Sequence, residues 1–213
     1  MRYLFAMVLC LATLSPLWAD APVESAPSAA ADLAKHLAPM ETMRGEFYQE
    51  TYDTQNVLLQ KASGEFFTKR PRKLSWHTVD PYEHNVITDG KVLWIHDIDL
   101  EQATRRPFSN ALDQAPALLL SGDISALERT YYIDRGESDN GGESFKLIPR
   151  RDEGVFQSLT ITFKDGKPEA LDILDHLGQR TSIRFLDLIS NSPIADSLFA
   201  FTPPEGTDVV IDE

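Results

Sequence analysis

Residues 72–97 read RKLSWHTVDPYEHNVITDGKVLWIHD, and this stretch decides the fold. Its three runs at 72–79, 84–88 and 91–97 are rich in β-branched and aromatic residues and have the length of strands. The last two runs are joined by Asp89-Gly90, a dipeptide typical of a tight hairpin turn. Because a tight hairpin joins antiparallel strands, the stretch predicts part of an antiparallel sheet.

Similar runs flank this stretch on both sides. Turn-forming dipeptides such as Asp165-Gly166 stand between them. The sequence predicts about eleven strands, six before a helical insert and five after it. The additional predicted strands cover 44–52, 58–67, 100–105, 131–135, 144–149, 156–164, 168–174 and 179–188.

Short helical segments accompany the strands. Ser28 is a good N-cap for a helix over 29–37. The apolar run 114–120 has Pro116 in its first turn, where the missing N–H does no harm, and a second helical turn covers 124–128. These segments predict a helical cover for the sheet.

A single antiparallel sheet of this size curls upon itself, and its inner face needs apolar filling. The apolar helices are the obvious filling. We therefore predict a mainly β protein with a helical lid: an incomplete, unclosed antiparallel β-barrel that encloses an apolar cavity partly stoppered by its helices.

The amino terminus is predicted to be a cleaved export signal. Arg2 supplies the positive start, and Leu4–Leu14 is an apolar run too short to cross a bilayer. A small residue at Ala19 marks the expected cleavage site, after which 20–30 is rich in Ala, Pro and Ser.

We therefore divide the chain into a signal peptide at 1–19, a flexible leader at 20–30 and a single domain at 31–213. Cys10 is the one cysteine and lies inside the signal, so the mature chain has no disulfide, thiolate or lipid-anchoring cysteine.

The formal net charge is −13 at pH 7. Such an acidic chain is a poor candidate for binding nucleic acid or an anionic membrane surface. We expect no nucleic-acid partner and no membrane attachment.

No motif indicates catalysis or a resident metal. The five histidines lack the spacing of metal ligands, and no Gly-x-Ser-x-Gly elbow or glycine-rich phosphate loop occurs. Asp97 and Asp99 could form a carboxylate pair for glycoside chemistry, although residues near a hairpin more often belong to a solvated turn. We predict no cofactor, no metal and no enzymatic activity.

Two features have alternative interpretations. The many aromatic residues either form an ordinary core or, on an inner face, line a lipid pocket. Arg70, before Pro71, is either a surface residue or a clamp on the free carbonyls of a covering helix, for which the planar guanidinium is well suited.

A series of short motifs from about Ala31 to Val210 resembles the LolA family of periplasmic lipoprotein carriers. The individual motifs are loose, but their order is specific. They are Met43 with Phe47 and Gln49, Gly64 with Phe66, Arg70-Pro71, Trp76, Asp89-Gly90-Lys91 with Trp94, the Gln102 stretch, Pro116–Leu120, Phe145–Pro149, Asp175 with Gly178-Gln179, and the closing set from Phe199 to Val209.

The resemblance implies an incomplete barrel of eleven antiparallel strands with a helical lid, in the periplasm of a Gram-negative bacterium. It implies that lipoproteins are taken from an inner-membrane ABC transporter by their acylated N-termini and delivered to an outer-membrane acceptor lipoprotein. We expect a monomer. Arg70 matches the family arginine that ties the lid to the barrel.

The residues that we expect to line the cavity combine this resemblance with the aromatic pattern. At Leu74 some family members have an aromatic residue that is tied to cargo transfer, which leaves the role of this leucine open. The cavity-lining candidates are Phe47, Phe66, Leu74, Trp76, Trp94, Leu118, Leu119 and Phe163.

Three alternative functions remain at this stage. The first two are an anchored lipoprotein acceptor and a lipoprotein sensor of the same barrel type. An acceptor would carry a lipidated cysteine after its signal, and a sensor would need a second domain. The third is an exported hydrolase of lipid or glycan, which would use Asp97 or Asp99.

Overall fold

The computed structural model describes residues 28–108, 116–121, 124–136, 141–151 and 156–212. The predicted signal and most of the leader lie outside them. The described helices are Ala29–Leu37 (α1), Pro116–Ser121 (α2), Ile124–Thr130 (α3) and Asp196–Phe199 (α4). Of these, α1 and α3 are α-helices, and α2 and α4 are short 3₁₀ helices. The strands are Thr42–Tyr52 (β1), Leu58–Lys69 (β2), Lys73–Asp80 (β3), His84–Thr88 (β4), Val92–Asp97 (β5), Gln102–Pro107 (β6), Tyr131–Gly136 (β7), Glu143–Pro149 (β8), Phe156–Lys164 (β9), Lys167–Asp175 (β10), Arg180–Ser190 (β11) and Asp208–Ile211 (β12).

All of these strands belong to one sheet with the order β12-β6-β5-β4-β3-β2-β1-β11-β10-β9-β8-β7. The sheet is not closed, because β12 and β7 are its two edges. This confirms the predicted open, mainly β architecture. The sheet has twelve described strands, one more than the predicted eleven, because β12 is a four-residue strand that pairs in parallel with β6.

The hairpin between β4 and β5 forms as its sequence predicts. Gly90 has a φ of +91°, a backbone conformation that glycine adopts without strain. The Asp89 carboxylate accepts hydrogen bonds from the N–H groups of Lys91 at 2.8 Å and Val92 at 3.2 Å. The turn therefore fixes the register of the central meander.

Helix α1 begins with the predicted cap, since Ser28 Oγ accepts a hydrogen bond from the N–H of Ala31 at 3.1 Å. Its residues Leu33 and Leu37 lie on one face and are fully buried. Helix α1 packs against β7 and α3, and α2 packs against β2 and β3. The helices thus cover the inner face of the sheet.

The C-terminal segment crosses the outer face from β11 to β6. The Asp196 carboxylate accepts hydrogen bonds from Lys69 Nζ at 2.8 Å and Lys73 Nζ at 2.9 Å. These two lysines lower the pKa of Asp196 to about 2. Beyond this clamp, Phe199 is buried, and the chain continues into β12 at the sheet edge.

Candidate functional site

Four inner-face aromatic side chains form a continuous cluster across neighbouring strands. The Phe47 and Trp76 rings stack with centroids 3.9 Å apart, and the Phe66 centroid lies 5.6 Å from that of Trp76 and 5.3 Å from that of Phe185. All four side chains are buried. These four buried rings therefore form an apolar wall.

The opposite wall comes from β8 and β9. The rings of Phe145 and Phe163 meet edge to face at 6.0 Å, and His36 of α1 stacks on Phe163 at 4.6 Å. His36 Nε2 lies 3.2 Å from a carboxylate oxygen of Glu143. The stacked imidazole therefore joins helix α1 to the rim of this wall.

The cover inserts aliphatic side chains between the walls. Leu118, Leu119 and Leu120 of α2 and Leu127 of α3 are each at most 1% exposed. They belong to the same apolar core as the aromatic walls. An apolar ligand that enters this interior has to displace or lift the cover.

Arg70 lies beside the two strands on which α2 of the cover packs. It opens the turn between β2 and β3, the two strands on which α2 packs, and its N–H donates to the carbonyl of Glu41 at 2.8 Å. Its Nε and Nη2 atoms are buried, and the residue makes a further interaction within the chain. The neighbouring Arg72 guanidinium lies 5.6 Å from the Phe108 ring. The position is thus suitable for a contact that holds the cover.

Seven of the eight cavity-lining candidates face this interior. Leu74 occupies an inner-face row with Thr68, Thr88 and Leu93, and all four are buried. The seven residues are Phe47, Phe66, Leu74, Trp76, Leu118, Leu119 and Phe163, and each is at most 7% exposed.

Trp94 does not line the interior. It pairs with Ile87 on the outer face, and its ring lies 5.4 Å from that of Phe201 in the C-terminal segment. The C-terminal segment covers the outer side of β5, and this strand carries apolar side chains on both faces. Its sequence therefore lacks the polar and apolar alternation that would show which face is inner. Leu93, which the sequence did not single out, takes the inner position.

The outer face of β1, β9, β10 and β11 carries a different kind of depression, with a volume of about 500 Å³. It is lined by polar side chains that include Tyr48, Glu50, Tyr52 and Arg180. Hydrogen bonds from Tyr52 and Lys61 lower the pKa of Glu50, and the hydrogen bond to Glu50 raises the pKa of Tyr52. Such a lining does not suit an acyl chain.

The groups considered for catalysis and for metal binding have other partners. The Asp97 carboxylate accepts the N–H of Leu100 at 3.0 Å, which assigns it to a turn. His77 contacts Glu83, whereas His96 packs against Phe201. Within the described residues, no three His, Cys, Asp or Glu side chains are placed to hold a metal ion.

Among the helices in the described parts of the chain, none has the length and apolar character needed to cross a membrane.

Comparison with known proteins identifies a family that this chain matches. Residues 38–202 match the model of the outer membrane lipoprotein carrier protein LolA. An outer-membrane lipoprotein carrier protein of Alcanivorax borkumensis is 38% identical over 84% of this chain and 86% of its own length. One from Pseudomonas putida W619 is 35% identical over 99% of both chains. A solved LolA superfamily protein from Nitrosomonas europaea has a TM-score of 0.51 and 11% identity over 81% of this chain and 97% of its own, a likeness of fold alone.

Proposed function

Because this chain belongs to the LolA family of outer membrane lipoprotein carrier proteins, we propose that it carries lipoproteins between the two membranes of a Gram-negative envelope. The observation that carries the proposal is the family match over 38–202, which spans the strands of both walls and helices α2 and α3 of the cover. The protein acts as a carrier and not as an enzyme.

The physical need for a carrier comes from the acyl chains of the cargo. Each methylene that leaves water stabilises the sheltered state by about 0.8 kcal/mol, so an acylated N-terminus does not cross an aqueous compartment unaided. The inner face offers aromatic and aliphatic side chains to receive these chains. We expect the acyl chains to contact Phe47, Phe66, Leu74, Trp76, Leu118, Leu119 and Phe163.

The cover also explains how the cargo leaves. Closing α2 onto β2 and β3 buries Leu118, Leu119 and Leu120, and bound acyl chains compete with this burial. A closed state that competes with the cargo weakens the loaded complex and permits onward transfer. In this mechanism Arg70 holds the cover closed until cargo is loaded.

The partners follow from the direction of transport. We infer that an inner-membrane ABC transporter loads the carrier and that an outer-membrane acceptor lipoprotein unloads it. The sequence contains no glycine-rich phosphate loop, so the transporter supplies the energy. The mature chain, beginning after Ala19, works as a monomer in the periplasm.

The test compares the wild type with Arg70→Leu, both tagged and purified from the periplasm. Arg44→Leu is the matched control, because Arg44 is an exposed arginine on the outer face of β1. Mass spectrometry then searches for acylated lipoprotein N-termini. We expect cargo on the wild type and several times more on Arg70→Leu, with Arg44→Leu like the wild type. Absence of acylated cargo from all three proteins would overturn the carrier proposal.

A further inference from the structure

Two neighbouring turns at the end of β3 remote from Arg70 expose large apolar side chains. Val79, Tyr82 and Leu100 are 56%, 67% and 71% exposed. The turns are contiguous, since the N–H of Ile98 donates to the carbonyl of Glu83 at 3.2 Å. We call these residues, together with the acidic residues of the two turns, the turn surface. Adjacent exposed apolar side chains of this size mark an interaction site more often than isolated ones do.

The turn surface is strongly acidic. Neither 74–90 nor 92–103, the stretches that contain the two turns, has a single Lys or Arg. The Asp97 carboxylate is engaged with Leu100, and that of Glu83 with His77, which leaves the others facing solvent. The acidic residues of the turn surface are Asp80, Glu83, Asp97, Asp99 and Glu101.

This combination determines the chemistry of the partner. An anionic lipid surface is repelled by clustered carboxylates. A protein surface with Lys or Arg around an apolar contact matches both the charge and the exposed side chains, and the charge accelerates its association. The turns also lie outside the covered interior, so a partner bound there does not occupy the cargo space.

We propose that the turn surface docks a basic protein partner of the carrier at the inner membrane. This rests on the proposed function, because a loading partner exposed on the periplasmic side of that membrane is what a lipoprotein carrier must meet. Docking combines apolar contact by Tyr82 and Leu100 with attraction to the surrounding carboxylates.

The experiment measures binding of the labelled mature chain to spheroplasts of the bacterium that encodes it. Two variants probe the surface: Tyr82→Ser with Leu100→Ser, and Asp99→Asn with Glu101→Gln. Two matched controls change the same chemistry elsewhere. Tyr132→Ser with Ile148→Ser replaces side chains that are 53% and 37% exposed on β7 and β8, at the far edge of the sheet, and Glu128→Gln with Asp134→Asn removes two exposed charges near β7.

We expect each surface variant to bind about tenfold more weakly and each control to bind like the wild type. Raising the salt from about 50 mM to about 300 mM should weaken the wild type, since screening reduces charge attraction. Trypsin treatment of the spheroplasts should abolish binding. Vesicles of phosphatidylcholine, with or without phosphatidylglycerol, should not bind the chain. Urea unfolding of every variant verifies that it is folded.

Four results would overturn the inference: no wild-type binding, surface variants that bind like the wild type, binding that survives trypsin, or binding to the vesicles. The last would identify a membrane as the occupant. The cargo assay with Arg70→Leu is read separately. Loaded cargo without surface-dependent docking contradicts this inference alone, whereas surface-dependent docking without cargo contradicts the proposed function alone.

Discussion

The Phe47 ring stacks on Trp76 at 3.9 Å although strand β2 runs between the strands that carry them. The contact is possible because the residue of β2 opposite Phe47 is Gly64, which has no side chain to separate the rings. A Cβ at Gly64 would lie 1.9 Å from the carbonyl oxygen of His77 and 2.9 Å from Cε1 of Phe47. The aromatic wall therefore depends on this glycine.

We predict that Gly64→Ala destabilises the fold by about 3 kcal/mol or more, because the backbone of β3 cannot yield without breaking the ladder. Urea unfolding followed by tryptophan fluorescence measures the effect. Gly166→Ala is the control, since its Cβ would meet nothing within 4 Å and it costs only the strain of a φ of +74°. Equal effects of the two substitutions would contradict the close packing at Gly64.

The cover should be weakened by shortening its buried side chains. Leu119→Ala should destabilise the protein by about 2–5 kcal/mol, because Leu119 is fully buried. Leu119 is also expected to contact the acyl chains, but its full burial in the closed cover should outweigh that contact. The same change should therefore increase the affinity for a fluorescent fatty acid, since a weaker cover competes less with the ligand. Titration with the probe measures this, and Leu198→Ala, at a 40% exposed site, should change neither quantity. If Leu119→Ala instead binds the probe more weakly, the contact of this leucine with the ligand would matter more than its part in closing the cover.

Most of the sheet could be predicted from the sequence because its signals are local. The Asp89-Gly90 turn and the alternation of buried Leu74, Trp76 and Thr78 with more exposed neighbours in β3 need no tertiary information. Strand β12 carried too little signal, since a four-residue strand gains its partner only when the C-terminal segment crosses the sheet.

The candidate site was less predictable because its residues depend on distant cover. Trp94 has the composition of a lining residue, and only the packing of Phe201 from the other end of the chain shows that it belongs to the outer face. His36 gave no sequence signal for its stacking on Phe163, since the contact joins a helix and a strand far apart in the chain. For Arg70 the local pattern leaves a surface residue and a clamp both open, and only the family resemblance favours the clamp.

The C-terminal clamp should respond to acid and not to mild pH changes. The pKa of Asp196 falls from 3.8 to about 2 in the folded chain, so its stabilising effect is complete above the unfolded value and disappears as the pH falls through the folded one. We expect the difference in urea midpoint between the wild type and Asp196→Asn to be constant from about pH 8 to about pH 5, to fall from about pH 4 and to be lost below about pH 2. If the difference in urea midpoint already changes between about pH 8 and about pH 5, a titratable group other than Asp196 would be responsible for it.

The two tryptophans of the predicted mature chain should report ligand binding differently. Trp76 is buried in the aromatic wall, whereas Trp94 faces the C-terminal segment on the other side of the sheet. We predict that a brominated fatty acid quenches the fluorescence of Trp94→Phe, in which Trp76 is the reporter, several times more than that of Trp76→Phe. The quencher acts only at close range, so the comparison identifies the face that receives the acyl chain. Both variants keep an aromatic ring at the altered site. Trp76→Phe should lower the urea midpoint more than Trp94→Phe, because Trp76 is buried in the packed wall, and quenching is compared where both variants are folded. Stronger quenching of Trp94 would show that the acyl chain binds at the outer face and would exclude the covered interior as the binding site.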